Sequence, residues 1–319
     1  MTCPPDAAGR ADGNTASDTG VLTGPVITVV IPHLNTPDSL CRCLASVTTQ
    51  ELAAGAFEVI VVDNGSREPI DALVAARFPG VRVLVDRTPG PGPARNTGAQ
   101  AARADLLAFT DADCIAQPGW LANAHAGAAA GQIVGGRVAV DVADPQRLTG
   151  IEAFESVLGF RQAYYIARKY FSVTANLAMP REMLRAVGPF GGIAIAEDVD
   201  WGQRAHAMGK VLTYQPAMLV LHPPRADFAS LARKFDRMTN HFWEEHHSSG
   251  RPLWRWWLLV AIMVASPAID MRHILLSPLI SGMMNRYRGL RVLFAIRWYR
   301  ARAMLAAASG TARPTAWNR

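Results

Sequence analysis

Two carboxylates one residue apart, Asp111 and Asp113 in the stretch FTDADC, close a short apolar run. Like charges placed that near each other raise the cost of ionising both unless a positive charge accompanies them. A divalent cation is one candidate, because hard oxygen ligands suit Mg2+ or Mn2+, which keep waters and bridge a substrate diphosphate. A solvated acidic turn is the other account. What decides between them is where the pair stands in the fold.

The run before the pair, LLAFT (106–110), is strand-like, and three others precede it. VITVVI (26–31) is β-branched and short enough for a buried parallel strand, FEVIVV (57–62) is the second and VRVLV (81–85) the third. After the first strand, Thr36 and Pro37 provide a helix start, with Leu40, Leu44 and Val47 at helical spacing. A Gly/Pro-rich loop, TPGPGPARNTG, opens a second helix. Strand, helix, strand, strand, helix, strand predicts an α/β fold, a doubly wound and mostly parallel sheet.

Ligands bind at the carboxyl ends of the strands in such sheets. The first strand ends in Pro32-His33-Leu34-Asn35, the second in Asp63-Asn64-Gly65-Ser66 and the fourth in Asp111 to Asp113, while Arg95 stands near the start of the preceding helix. These groups are expected to converge along one edge. Beyond Gly136 the sequence predicts a strand at IVGGRVAV and one helix through RLTGIEAFESVLGFRQAYYIARKY. A strand, turn and short helix ending at Gly188 follow, then a helix AEDVDWGQRAHAMG stopped by Gly209, and a strand at VLTYQPAMLVLHPP.

Half of the 319 residues are hydrophobic and the mean hydropathy is +0.10, a surplus that points to an apolar surface or a membrane contact. The four cysteines form no CxxC pair, consistent with a reducing cytosol. The net charge is +6, and the arginines gathered after position 250 alternate with Trp and aliphatic runs, which favours anionic lipid over nucleic acid. Residues 1–24 are polar and lack the apolar core of a signal peptide, so a disordered tail and a cytoplasmic protein are expected.

The blocks VVIPHLN, VIVVDNGS, GPARNTGAQAARADLLAFTDAD and AEDVDWGQRAHAMG, in this order, resemble those of family 2 glycosyltransferases, inverting enzymes of the GT-A fold. The resemblance spans about residues 26–225 and implies a nucleotide-sugar donor, a divalent metal and direct displacement at the anomeric carbon. It implies that Pro32, His33, Asn35, Asp63 and Asn64 frame the base and ribose, that Arg95 lies near the base or diphosphate, and that Asp113 meets the metal with Asp111 nearer the ribose. Asn64 departs from the commoner aspartate; an amide both donates and accepts, which leaves the base open. By the same resemblance Asp198 is the general base and Glu197 orients the acceptor or the loop, although both begin a helix, where carboxylates also serve as caps. His222 either completes the metal shell with Asp111 and Asp113 or bonds a loop carbonyl, and Asn176 matches an acceptor-side block.

From about residue 226 the chain is helical, basic and aromatic. Its first apolar run, about fourteen residues containing Pro267, falls short of the ~20 that span a bilayer. Trp254, Trp256, Trp257, Arg251 and Arg255 at one end, with Arg297, Trp298, Arg300 and Arg302 further on, suit a headgroup surface; a hairpin packed on the catalytic domain is the alternative. The expected organisation is a tail (1–24), a catalytic domain (25–225) and a membrane-associating or packing region (226–319), peripheral or monotopic at the inner face of the plasma membrane. The expected reaction moves one sugar from a nucleotide-diphosphate sugar to a glycan or lipid-linked acceptor, with no nucleic-acid partner and the oligomeric state open. A nucleotidyltransferase would carry a Gly-rich, cationic loop after the first strand, where this chain has PHLNTPDSL, and a non-catalytic nucleotide-sugar or lipid-binding protein would not need the Asp198 block.

Overall fold

The structure, a computed structural model, describes residues 24–52, 56–193 and 195–311. The tail expected over 1–24 therefore lies, except for Gly24, outside the described residues. Strand β1 (Ile27–His33) is buried along its whole length. Its alternate residues serve two cores: Val29 and Ile31 face one and Val30 the other, as expected for a strand covered on both sides. Helix α1 (Pro37–Thr48) follows, starting on proline and burying Leu40, Leu44 and Val47.

Strand β2 (Phe57–Asp63) pairs parallel with β1, in register from Ile27 opposite Phe57 to His33 opposite Asp63. Those two polar ends are thereby level. Helix α2 (Asp71–Arg77) stands between β2 and β3 (Arg82–Val85), where the sequence predicts a direct strand-to-strand step. It is a short helix with only Val74 buried, too little apolar periodicity to read. Helix α3 (Pro91–Ala101) then leads to β4 (Leu106–Thr110), which lies on the other side of β1. The order β3-β2-β1-β4 reverses at β1, and a crevice opens at such a switch point.

The rest of the sheet is mixed. After β5 (Ile115–Ala116), α4 (Trp120–Ala129) and β6 (Ile133–Val140), the predicted long helix is broken into α5 (Gly150–Leu158) and α6 (Gln162–Lys169). Gly159 ends the first, as a poor helix former does. The buried Gln162 side chain pins the second to the sheet, donating to Gly136 O at 3.1 Å and accepting from Val173 N at 3.1 Å.

Strand β7 (Asn176–Pro180) runs antiparallel to β4 and β6, and α7 (Arg181–Val187) follows it directly. Helix α8 (Glu197–Ala207) and β8 (Leu212–His222) complete an eight-stranded sheet of order β3-β2-β1-β4-β7-β6-β8-β5. Asn176 has no place on an acceptor surface: it is fully buried. It accepts from Trp120 Nε1 at 2.9 Å and donates to Arg137 O and Met218 O, each at 2.8 Å. It thus ties β7 to the register shift between β6 and β8 after Gly136, where any side chain would collide with its amide.

Three helices end the chain, α9 (Phe228–Ser248), α10 (Leu253–Leu275) and α11 (Met283–Ala308). Leu293 and Ile296 of α11 pack with Phe154 of α5 and Leu231 of α9, so this region rests on the sheet domain. The run read as about fourteen residues is instead a 23-residue helix that passes through Pro267. Proline strands the carbonyl four residues back, here Met263, and Ser266 Oγ donates to that carbonyl at 2.9 Å. By length and composition α10 is long and apolar enough to cross a membrane, and only 17% of its most apolar window is buried.

Candidate active site

The carboxyl ends of β1, β2 and β4 open onto a cavity of about 810 Å3. At its β1–β2 end, Thr36 N donates to His33 Nε2 at 3.1 Å, which leaves the ring proton on Nδ1, 3.3 Å from Ser66 Oγ. Burial lowers the His33 pKa, with the Asp63 charge opposing, so the ring is neutral. Asp63 Oδ1 accepts from both Ser66 Oγ, at 2.5 Å, and Ser66 N, at 3.1 Å. Asn35, in the left-handed region at φ 54, accepts from Arg67 N at 2.9 Å. The Asn64 side chain is occupied: it donates to Asp86 O and Thr88 O and accepts from Gly90 N at 2.9 Å, fixing the loop that starts α3. Pro32, His33 and Asn64 line the cavity, while Asp63 and Asn35 brace its wall.

The cation beside Asp111 is Arg95. Its guanidinium is buried and bridges Asp111 Oδ1 at 2.6 Å and Glu197 Oε1 at 2.9 Å. The first turn of α3 is held in place by close packing, since a side chain at Gly92 would collide with Gly191 O. Arg95 lines the cavity as the sequence suggested, but two carboxylates already engage it, and Asp111 is correspondingly less free to ligate a metal.

Asp113 stands apart from that pair. Its Oδ2 lies 3.5 Å from His222 Nε2, and His222 Nδ1 donates to Pro223 O at 2.7 Å. Held through Nδ1, the His222 ring turns its Nε2 toward a carboxylate oxygen of Asp113. An imidazole nitrogen and a carboxylate oxygen facing each other at this distance suit a shared cation, and an imidazole held through its other nitrogen is how ligating histidines are oriented. Burial holds the Asp113 carboxyl above the usual range, the His222 and Arg225 charges opposing and Asp111 adding. Among the described residues no group of three His, Cys, Asp or Glu side chains could hold a metal ion, so any ion here needs ligands from substrate or water.

Glu197 and Asp198 open α8, but their surroundings differ. Glu197 shares Arg95, whereas Asp198 has no cationic partner among the described residues and accepts from Val199 N at 2.8 Å. Burial first, and then the Glu197 charge, push the Asp198 pKa up to about 7. A carboxylate poised there can take a proton and release it near neutrality. The sequence reading missed Phe160, Arg225 and Lys234, which also line the cavity; no spacing from the aspartates marks them.

Residues 28–187 match the model of the family described as Glycosyl transferase family 2. Glycosyltransferase AglE of Haloferax volcanii is 30% identical over 219 residues, 66% of this chain and 71% of that protein. Pre-mycofactocin glycosyltransferase of Mycobacterium tuberculosis is 32% identical over 218 residues, 65% of this chain and 45% of that protein. Among solved structures, mannosyltransferase PcManGT from Pyrobaculum calidifontis, in complex with GDP-Man and Mn2+, superposes with a TM-score of 0.55 at 18% identity, covering 91% of this chain and 88% of that one. That likeness is one of fold.

Asp198 gives the site a pH signature. Its pKa rises from 3.8 to about 7 on folding, so between those values the folded chain holds more protons than the unfolded one and stability falls as pH rises. Asp198→Asn removes this slope. Urea unfolding from about pH 4 to about pH 8 should show wild type losing stability relative to the variant as pH rises, whereas parallel curves would mean that Asp198 is not desolvated and unpaired.

Proposed function

The chain belongs to glycosyl transferase family 2, and we propose that it moves one sugar, with inversion, from a nucleotide-diphosphate sugar to a hydroxyl of a glycan or lipid-linked acceptor. The observation that carries this reading is the contrast at the head of α8, where Glu197 is held by Arg95 while Asp198 keeps a pKa of about 7 beside the same cavity. In the proposed step Asp198 accepts the acceptor's proton as that oxygen attacks the anomeric carbon, and the bond to the diphosphate breaks with its electron pair leaving on phosphate. Pro32, His33 and Asn64, braced by Asn35 and Asp63, form the nucleoside end, with Asp111 oriented by Arg95.

Asp113 and His222 would hold a divalent cation, Mg2+ or Mn2+, a reading supported by the 3.5 Å approach of Oδ2 to Nε2. Such an ion, when bound, offsets the negative charge that develops on the departing diphosphate.

Residues 25–225 are proposed as the catalytic domain and 226–319 as the part that settles on an anionic leaflet at the inner face of the plasma membrane. Helix α10 turns Trp256 and Val260 inward against Met304 and leaves Trp254, Trp257, Leu258, Ile262 and Ile269 exposed. Arg255 sits over the Trp254 ring at 5.5 Å, the aromatic and cationic pairing that suits headgroups. Because α11 packs against α5, deleting the helices would bare a core, so substitution is the cleaner probe.

Three outcomes test this reading. Asp198→Asn should keep nucleotide-sugar affinity and lose at least ~10²-fold in turnover, and near wild-type turnover would reduce Asp198 to a helix cap. In calorimetry, chelation should weaken nucleoside diphosphate binding by wild type and make little difference to Asp113→Ala; equal wild-type affinity with and without chelator would remove the cation. Wild type should sediment with anionic vesicles and be released by salt. Trp257→Glu with Ile262→Glu should stay in the supernatant with donor binding intact, and a wild type that ignores such vesicles would sink the membrane assignment.

A further inference from the structure

The cavity has a cationic wall that the step above does not use. Arg225, just past His222, and Lys234, on α9, line it together with Asp113 and His222. Both lie beyond residues 28–187, the stretch that matches the family. Buried Glu155 on α5 positions the two. It accepts from Arg225 N at 2.8 Å, and its other oxygen lies 3.7 Å from Lys234 Nζ, which also sits 5.0 Å over the Phe160 ring.

Glu155 meets the charge of Lys234 but only the backbone of Arg225. The Arg225 guanidinium is half-buried and has no carboxylate or hydrogen-bond partner among the described residues, since only its backbone N–H is bonded. Burial and then the Arg225 charge push the Lys234 pKa down to about 8, and the same two causes lower Arg237. These cations repel one another beside a cavity. An anion placed between them would relieve that repulsion.

We propose that Arg225 and Lys234 form a seat for a phosphate group next to Asp113 and His222, a proposal that rests on the glycosyl-transfer reading of the same cavity. Guanidinium offers a planar fork to phosphate oxygens and ammonium a compact charge, so the pair suits a phosphate better than a carboxylate or a neutral sugar. The donor's terminal phosphate is the first source. When the anomeric C–O bond breaks, its electron pair stays on an oxygen of that phosphate, and the two cations face the charge that results. The phosphate of a prenyl phosphate acceptor is the second source with the same chemistry.

The test is calorimetric titration of the full chain with UDP, GDP, UMP and GMP in excess Mn2+, using Arg225→Gln, Lys234→Met and Arg225→Lys. Thermal unfolding checks that each variant is folded. Arg225→Gln is the safer probe, because the guanidinium makes no hydrogen bond or ion pair among the described residues. The expected result is that Gln and Met weaken diphosphate binding by at least about tenfold, the size of one charge-assisted hydrogen bond, and leave monophosphate binding within about twofold. Arg225→Lys should recover part of the loss. Unchanged diphosphate affinity with a raised KM for a short-chain prenyl phosphate would assign the seat to the acceptor. Folded variants that change neither quantity overturn the seat alone, whereas a wild type that binds no nucleoside diphosphate overturns the donor reading and the seat with it.

Discussion

One buried guanidinium organises this site. Arg95 reaches Asp111 at the end of β4 and Glu197 at the head of α8, which lie 16 and 102 residues away. Desolvating an arginine costs several kcal/mol, and each charge-assisted hydrogen bond returns only ~1.5–3 kcal/mol. The net contribution to stability is therefore small beside its effect on position. With Arg95 paired to one member of each carboxylate pair, the other members, Asp113 and Asp198, make no ion pair with it. Their pKa values rise, and those are the two carboxyls with room for an ion or a proton.

The level ends of β1 and β2 make this division possible. Parallel pairing in strict register sets His33 against Asp63, and β4 on the far side of β1 brings Asp111 to the same edge. The mixed half of the sheet supplies the remaining wall, because β8 ends at His222 and the chain goes directly into the loop that carries Arg225. Lys234 belongs to the terminal helices and Glu155 to α5, so the cavity does not stop where the strands do.

Much of this was legible from strand runs and turn residues. The strand ends, the D-x-D pair and the helix opening at Glu197 depend on local pattern, which sequence carries well. Pairings did not show, because nothing local to Asp111 names Arg95 as its partner. Nor does Asn64 announce that its amide is spent on the loop from Asp86 to Gly90. Helix α10 was read short for a different reason: the apolar count ended before Asp270, whereas the helix runs on to Leu275, with Ser266 bonding the carbonyl that Pro267 frees. Helix α2 escaped because one buried valine leaves no period to detect.

That small repair reaches beyond the shape of one helix. A proline inside a helix ordinarily leaves a carbonyl that water must solvate, which ties the turn to an aqueous surrounding. Here Ser266 closes the Met263 carbonyl within the helix itself. At this turn the freed carbonyl makes no demand on its solvent, so it is as well satisfied against hydrocarbon as against water. The proline is therefore no obstacle to either surrounding, and the medium against this turn is set by its side chains and not by its backbone.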